Sequence, residues 1–598
     1  MFTRLRNRVL TVVGPDIPAL PSSGGSGGGS SGSAHHGGRD DHGGKGNLPE
    51  KFRYARPQFL QLLTYDELKA SADHNVRPII VPRDLSLLPW NTGYAECVNS
   101  GKSEWNEDQA AFHRQVLSHP SKQYQDLPYT YFGIYDGHAG YGAALAASNQ
   151  FHHILHEKLV DIIDLLMPRV EGNDPAPTGI GSVGLNAILP HPILFHKQVS
   201  KDELIVGALE AAFADMDALL AEDRDKYRNA GGCTALVALF ILGKLFVANA
   251  GDSRGVLCKR ISKQKLPNIR PLSVYEDGVN GETPADEEDD GYVVYAEPCS
   301  FDHTPETERP RLLSVGKLNP NLMGGEYVAM EYAKKPMTKD LGTRILYRQG
   351  TMKGWTYKTL TRSDLKMPIV TGEGKRSRLL GTIGVTRGFG DHDLKALGSG
   401  LPIKPFLSCH PDVICVDLSS IESDPDADNC DGEYGVLVMA TDGLWDVTYS
   451  QKVANTVFNT LKKFPTERHR YTMAAQELVA KSRGRANING HWRLSDSRAA
   501  ATVDDISVIV IPVYQYYLEY LEWKRSLQRR KPSVEIAAGS TNTSSESTGL
   551  EKMDNKQQNS SCDSDPLEVD SAFHTEPIPI TAVEASSADD TTLAAVSQ

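Results

Sequence analysis

The chain has 598 residues and a formal net charge of −13, from 63 basic and 76 acidic residues. That length exceeds what one core usually organises, and an acidic balance with no long Lys/Arg block in the globular part argues against nucleic-acid binding. The longest apolar stretch, Cys233 to Leu242, is roughly half a bilayer span, and the eight cysteines form no Cys-x-x-Cys pair and follow no secretory leader. A reducing cytoplasmic setting is therefore expected, with the thiols structural or idle.

In chain order, Phe2, Leu5, Val9, Val12 and Val13 fall on about a third of a helical wheel, with Arg4, Arg8 and Thr11 opposite. That pattern suits a short helix over 1–13 lying on an anionic membrane, peripherally on an internal membrane such as the Golgi. A frayed terminus is the other reading. Residues 22–46 are almost pure Gly, Ser and His, so 1–49 is expected to be disordered apart from such a helix. Residues 50–530 are read as one large folded domain. Apolar runs predict strands at 129–135, 233–242, 245–250, 435–441 and 506–513, with a tight hairpin at Gly243–Lys244. Helical periodicity covers 142–167, 202–221, 450–463 and 471–483. The mixed order predicts an α+β fold of antiparallel sheets flanked by helices. Residues 261–300, with the acidic run Asp286 to Asp290, are expected to form a solvated insertion. Residues 303–376 hold Trp355, Tyr327, Tyr332, Tyr347 and Tyr357 among many basic residues and predict a small ordered subdomain. Residues 531–598 read as a disordered acidic, Ser/Thr-rich tail.

Acidic residues stand where strands end. Glu107 and Asp108 follow Asn106, Asp136-Gly137-His138-Ala139-Gly140 closes one strand, and Asp442-Gly443-Leu444-Trp445-Asp446 closes another. Asp504-Asp505 opens a third, and Gly251-Asp252-Ser253-Arg254 links two more. A single carboxylate beside glycine is ordinarily a turn-former. Five such places gathered at one edge would repel one another unless cations sat among them. Hard divalent ions take oxygen ligands, so the expected occupant is Mg²⁺ or Mn²⁺ and not zinc. Two such ions about 4 Å apart lower the pKa of a shared water and neutralise a phosphoryl group during in-line displacement. A leaving alkoxide needs a proton, and His138 is the best-placed donor.

These motifs resemble, in order over roughly residues 90–515, those of the protein phosphatase type 2C, or PPM, family of metal-dependent Ser/Thr phosphatases. The resemblance implies two antiparallel sheets sandwiched between helices and a two-metal site at one end. Asp136 then resembles the ligand bridging both ions, and Gly137 the residue lending a carbonyl. Glu107 and Asp108 resemble the pair serving one ion, Asp442 and Asp504 the ligands of the other. Asp252, with Asp442 and Asp446, matches a weaker third site. Thr386-Arg387-Gly388-Phe389-Gly390-Asp391 resembles a family motif read here as structural. The family's phosphate-gripping Arg is replaced by Ser103, leaving Lys102 as the candidate phosphate ligand, without bidentate geometry. Leu88-Pro89-Trp90, Gly101-Lys102-Ser103, Thr304 to Arg309 and Gly372 to Lys375 resemble the H/J/M branch, in which 303–376 would be a flap beside the active site and phosphorylated Rab GTPases the implied substrates.

Other chemistries fit less well. Gly140-Tyr141-Gly142 lacks a third glycine, Leu145 standing there, and Asp136 would oppose a pyrophosphate. Gly101-Lys102-Ser103 has Glu96 where a P-loop needs its first glycine, no cysteine has an Arg six residues on, and no Gly-x-Ser-x-Gly elbow accompanies His138. The rival from another class is a catalytically weak phosphatase fold acting as a binding scaffold, whose sign would be a lost metal carboxylate.

Overall fold

The computed structural model describes residues 53–122, 124–167, 199–222, 231–262, 292–323, 330–349, 352–365, 368–397, 399–421 and 435–529. The 1–13 segment, the acidic run and the 531–598 tail lie outside them.

Alternation of Val, Ile, Leu and aromatic residues builds two antiparallel sheets. The first has six strands in the order Ile79–Ile80, Gly93–Cys97, Ile506–Pro512, Gly435–Ala440, Arg254–Ser262 and Tyr292–Pro298. The second has five, in the order Asp412–Asp417, Lys244–Ala250, Ala235–Ile241, Leu127–Tyr135 and Gln109–Leu117. Leu437, Met439, Ile509 and Ile511 from one sheet and Phe132, Ile134, Leu236 and Val247 from the other share the core between them. The period of two sends Val436, Val438 and Ala440 to the opposite face, where they meet Val453, Val457 and Leu461 of the helix Ser450–Lys463 and Ala474 and Leu478 of the helix Arg470–Arg483. On the outer face of the five-stranded sheet, Tyr131 and Tyr135 face Phe151 of the helix Gly142–Asp161, and Phe151 packs edge-on to Phe213 of the helix Lys201–Glu222 at 5.0 Å. Helices, sheet, sheet, helices is the layering that the family resemblance implies, and it agrees with the antiparallel sheets flanked by helices that the sequence pattern predicts.

The hairpin forms one residue earlier than the expected Gly243–Lys244, because Lys244 already pairs with Ile241 and the turn is made by Leu242 and Gly243 at φ 54° and 73°, the left-handed pair that a two-residue turn between right-twisted strands requires. The expected solvated loop over 261–300 is corrected at its far end. Tyr292–Pro298 pairs along Arg254–Ser262, from Tyr292 opposite Ser262 to Pro298 opposite Val256. The run Tyr-Val-Val-Tyr is β-branched and aromatic, a signal hidden by the acidic stretch before it. Within 303–376, Met330–Tyr332, Arg344–Gln349 and Thr356–Thr359 make a three-stranded antiparallel sheet with its own core of Tyr332, Ile345 and Leu360.

Both sheets present strand ends at the same edge. Leu127–Tyr135 delivers Asp136, Lys244–Ala250 delivers Asp252, Gly435–Ala440 delivers Asp442, and Ile506–Pro512 begins just after Asp504.

Candidate metal centre

Carboxylate oxygens of Asp136, Asp252 and Asp442 all lie within 4.8 Å of one another, although the three residues are far apart in sequence. Burial and then Asp442, Asp108, Asp504 and Asp252 hold the Asp136 carboxyl well above the usual carboxylate range. Burial and then Asp252, Asp504 and Asp446 do the same to Asp442. Asp252 is pushed up to about 7 by burial and by Asp302 and Asp446. The charges of Asp108, Asp504 and Asp446 are thus felt at the trio, and Glu107 is itself raised, chiefly by burial. All donors are oxygens, with no thiol or imidazole in the trio, so the residues fit a hard divalent cation.

The turns that carry these groups are fixed from behind. Arg77, fully buried, donates from Nε to Val98 O at 2.7 Å, from Nη1 to Thr502 O at 2.8 Å and from Nη2 to Asp504 O at 2.8 Å. Arg56 pairs with buried Glu96 and donates to the carbonyls of Asn106 (3.1 Å) and Asp108 (2.5 Å). Asp505 accepts from the backbone N–H groups of Asn99 (2.8 Å) and Glu107 (3.1 Å), tying two turns together. Thr441 donates its hydroxyl to the Asp108 carboxylate at 2.9 Å. A Cβ on Gly137 would stand 2.4 Å from Glu107 O, and one on Gly443 would stand 1.9 Å from Asp505 O. Glycine lets these turns touch.

Lys102 reaches Asp504 Oδ2 at 2.5 Å. Burial works against its charge, but Asp504, Asp442 and Asp136 outweigh that and raise it above the ordinary lysine value. Its loop is shaped by Asn99, whose side-chain oxygen accepts from the N–H groups of Gly101 (2.9 Å) and Lys102 (2.7 Å). Asp446 lies at the rim, where Lys375 Nζ donates to its carbonyl at 2.8 Å.

His138 donates from Nε2 to Asp391 Oδ2 at 2.8 Å. Burial opposes its charged form, yet Asp391, Asp252 and Glu107 prevail and raise its pKa. Asp391 is the last residue of the motif read as structural. That reading holds for Arg387, which bridges Glu308 and Asp412, and is corrected for Asp391, which orients His138. A Cβ on Gly232 would fall 2.2 Å from Asp391 Oδ2 and 2.6 Å from His138 Nε2.

Set beside known proteins, the chain is 38% identical to human protein phosphatase 1H over 564 residues, 86% of this chain and 99% of that one. It is 39% identical to the Xenopus tropicalis protein phosphatase 1H with the same coverage, and 40% identical to human protein phosphatase 1J over 77% of this chain and 86% of that one. The family model for protein phosphatase 2C matches residues 186–275 and 369–489. The chain belongs to the protein phosphatase 2C family. It is a protein serine/threonine phosphatase, and the relatives' names agree with the branch that its motifs resemble. The family generally uses Mg²⁺ or Mn²⁺, which the all-oxygen trio fits. A solved serine-threonine phosphatase 2C from Toxoplasma gondii aligns with 67% of this chain and 94% of its own at 16% identity and a TM-score of 0.31.

Raised carboxyls make a prediction with a definite sign. Between the unfolded value of about 4 and the raised folded value, the native state holds more protons than the unfolded one, so stability falls as pH climbs through that window. Asp442→Asn should therefore stabilise the metal-free protein, with an advantage over wild type that grows from pH 5 to pH 8. Denaturant melts in chelator measure it, and a variant no more stable at pH 8 than wild type contradicts the repulsion.

Proposed function

We propose that the chain hydrolyses phosphoserine and phosphothreonine in proteins at a binuclear Mg²⁺ or Mn²⁺ centre, with a third, weaker cation position at Asp252, Asp442 and Asp446. The observation that carries this reading is the convergence of Asp136, Asp252 and Asp442 within 4.8 Å. Asp136 would serve both ions and Gly137 would lend its backbone carbonyl, with Glu107 and Asp108 on one ion and Asp442 and Asp504 on the other. When bound, the ions supply a nucleophilic hydroxide at neutral pH and neutralise phosphoryl charge. Lys102 stands on Asp504, where an ammonium set among carboxylates is free to turn to a phosphate oxygen once cations take up their charge. His138, held at Nε2 by Asp391 at 2.8 Å, gives its proton to the departing serine or threonine oxygen. None of these carboxylates is missing from the sequence, which disfavours the scaffold alternative.

Activity should vanish on chelation and return with Mn²⁺. His138→Ala should slow hydrolysis of a phosphoserine peptide by about 10²-fold or more and that of p-nitrophenyl phosphate far less, because p-nitrophenolate leaves without help. Equal loss on both substrates speaks against the acid role.

Selectivity is assigned to the 303–376 flap, and phosphorylated Rab GTPases are the proposed substrates. Lys375 sets the flap's edge beside Asp446. Trp355 packs under the Arg348 guanidinium at 4.7 Å, whereas Tyr357 is 55% exposed and is the better anchor for a partner. Replacing 330–359 by a short linker should leave p-nitrophenyl phosphate turnover largely intact and lower kcat/KM for a phospho-Rab by about tenfold or more. Loss on both substrates alike would make the flap a support for the fold instead.

The protein is proposed to be cytoplasmic, with 1–13 as a peripheral anchor on an internal membrane. Leu5→Asp should abolish sedimentation with anionic liposomes and leave phosphatase activity unchanged, and unaltered sedimentation would remove the anchor.

A further inference from the structure

Between the helix Arg470–Arg483 and the Asp504 turn the chain makes a small antiparallel hairpin, Arg485–Ala486 against Trp492–Arg493. Residues 481–500 hold five basic side chains (Lys481, Arg483, Arg485, Arg493, Arg498) and one acidic, Asp496, in a chain whose net charge is −13. Asp496 is already paired with Lys452. Arg485 stands directly opposite Arg493 in the register. Both are exposed, as is Arg498, and none of the three has an ion pair or hydrogen bond from its guanidinium among the described residues.

Like charges opposed across a two-stranded ribbon destabilise it, and among the described residues no acid answers them. Arg498 adds a left-handed backbone, φ 56°, which a non-glycine residue adopts at an energetic cost. At the tip, Ile488 is wholly exposed. The hairpin is nevertheless firmly seated. The Trp492 ring meets the guanidiniums of Arg77 (5.3 Å) and Arg483 (5.7 Å), Ala501 N donates to Trp492 O at 3.2 Å, and Thr502 N donates to Ser482 O at 3.4 Å. Arg77 is the same residue that holds Asp504 O. The cationic ribbon is thus joined through one side chain to a turn of the catalytic centre.

We propose that this hairpin is a docking surface for an acidic segment of the phosphoprotein substrate, flanking the phosphorylated residue. The inference rests on the phosphatase reading and deepens it by naming a class of substrate. Charge complementarity selects the occupant, and placement selects its source. From Arg498 to Asp504 is six residues, no more than about 20 Å even fully extended, so a peptide whose phosphate lies at the carboxylate cluster reaches the ribbon within a few residues of its own chain. A bilayer held there would cover the opening that the phosphoprotein needs, and one aliphatic tip gives it little to grip. Acidic side chains would separate Arg485 from Arg493 electrostatically, so that a repulsion in the free enzyme becomes attraction in the complex.

The test uses the full chain with Mn²⁺ and two phosphoserine peptides that differ only in flanking residues, four Glu or four Gln. Wild type should show a KM about tenfold lower for the acidic peptide, the worth of two or three exposed charge pairs, and the advantage should shrink at 0.5 M salt. Arg485→Gln/Arg493→Gln should erase the difference through KM, leave kcat and p-nitrophenyl phosphate turnover unchanged, and melt no lower than wild type, since a repulsion has been removed. Equal KM values for both peptides in wild type, or a discrimination that survives the double substitution, overturns the docking surface while the phosphatase reading stands. No Mn²⁺-dependent hydrolysis of either peptide or of p-nitrophenyl phosphate overturns the phosphatase reading itself. Unaltered peptide discrimination with loss of sedimentation on phosphatidylserine vesicles assigns the ribbon to a membrane and also overturns the proposal.

Discussion

Carboxylates gathered at one end of a sandwich repel one another, and burial strengthens the repulsion because less water screens it. Asp136, Asp252 and Asp442 sit within 4.8 Å, and the charges of Asp108, Asp504 and Asp446 press on them. A flexible loop would relieve that strain by swinging outward. Here the backbone does not let it. Arg77 holds the 502–504 turn, Arg56 holds the 106–108 turn, and Asp505 ties the Asn99 and Glu107 turns together. Oxygen ligands are thereby set in advance for a cation, and the free energy of binding it is not spent on ordering the site.

Glycine and arginine make complementary contributions. Gly137, Gly232 and Gly443 stand where any side chain would collide with a neighbouring carbonyl, carboxylate or imidazole, which brings turns from separate strands into contact. The two arginines then supply cationic donors to carbonyls that would otherwise face the interior. Arg77 does so with no direct carboxylate partner among the described residues, its charge accommodated by three carbonyl oxygens and the Trp492 ring. Burial holds the Arg77 guanidinium below its ordinary value, and Cys97 and Asp505 offset that only in part.

Most of the framework was legible because it rests on local pattern. Val436 to Ala440 and Ile506 to Ile511 alternate between two cores, and strand period is a property of neighbouring residues. The carboxylates were legible for a related reason, as charge at the end of an apolar run is conspicuous. Arg56, Arg77, Asn99 and Asp391 were not. Arg56, Arg77 and Asp391 act on partners far along the chain, Arg77 on a turn more than 400 residues away, and Asn99 joins its local turn over Gly101 and Lys102 to Asp505, a distant tie that nothing beside it in sequence marks. Asp391 reads as structural in the sequence because it belongs to the same motif as Arg387, which does serve that role. The edge strand Tyr292–Pro298 was hidden differently, by an acidic run whose composition overshadowed four β-forming residues.

The outer parts divide along the same line. At the carboxylate cluster every residue answers to its neighbours, so changing one disturbs the rest. Beyond the rim the contacts gather at a few places: the flap meets the centre through Lys375 on Asp446, a pair exposed on both sides, and at its base through His303, which exchanges hydrogen bonds with Gly251 beside Asp252, and the 485–493 hairpin meets it through the Trp492 ring over Arg77. Away from these contact points the outer sequences are free to vary without altering how the turns hold their oxygens. A site rigid at its centre and loosely joined at its margins can keep one reaction while its choice of phosphoprotein changes, because recognition and catalysis then draw on different residues.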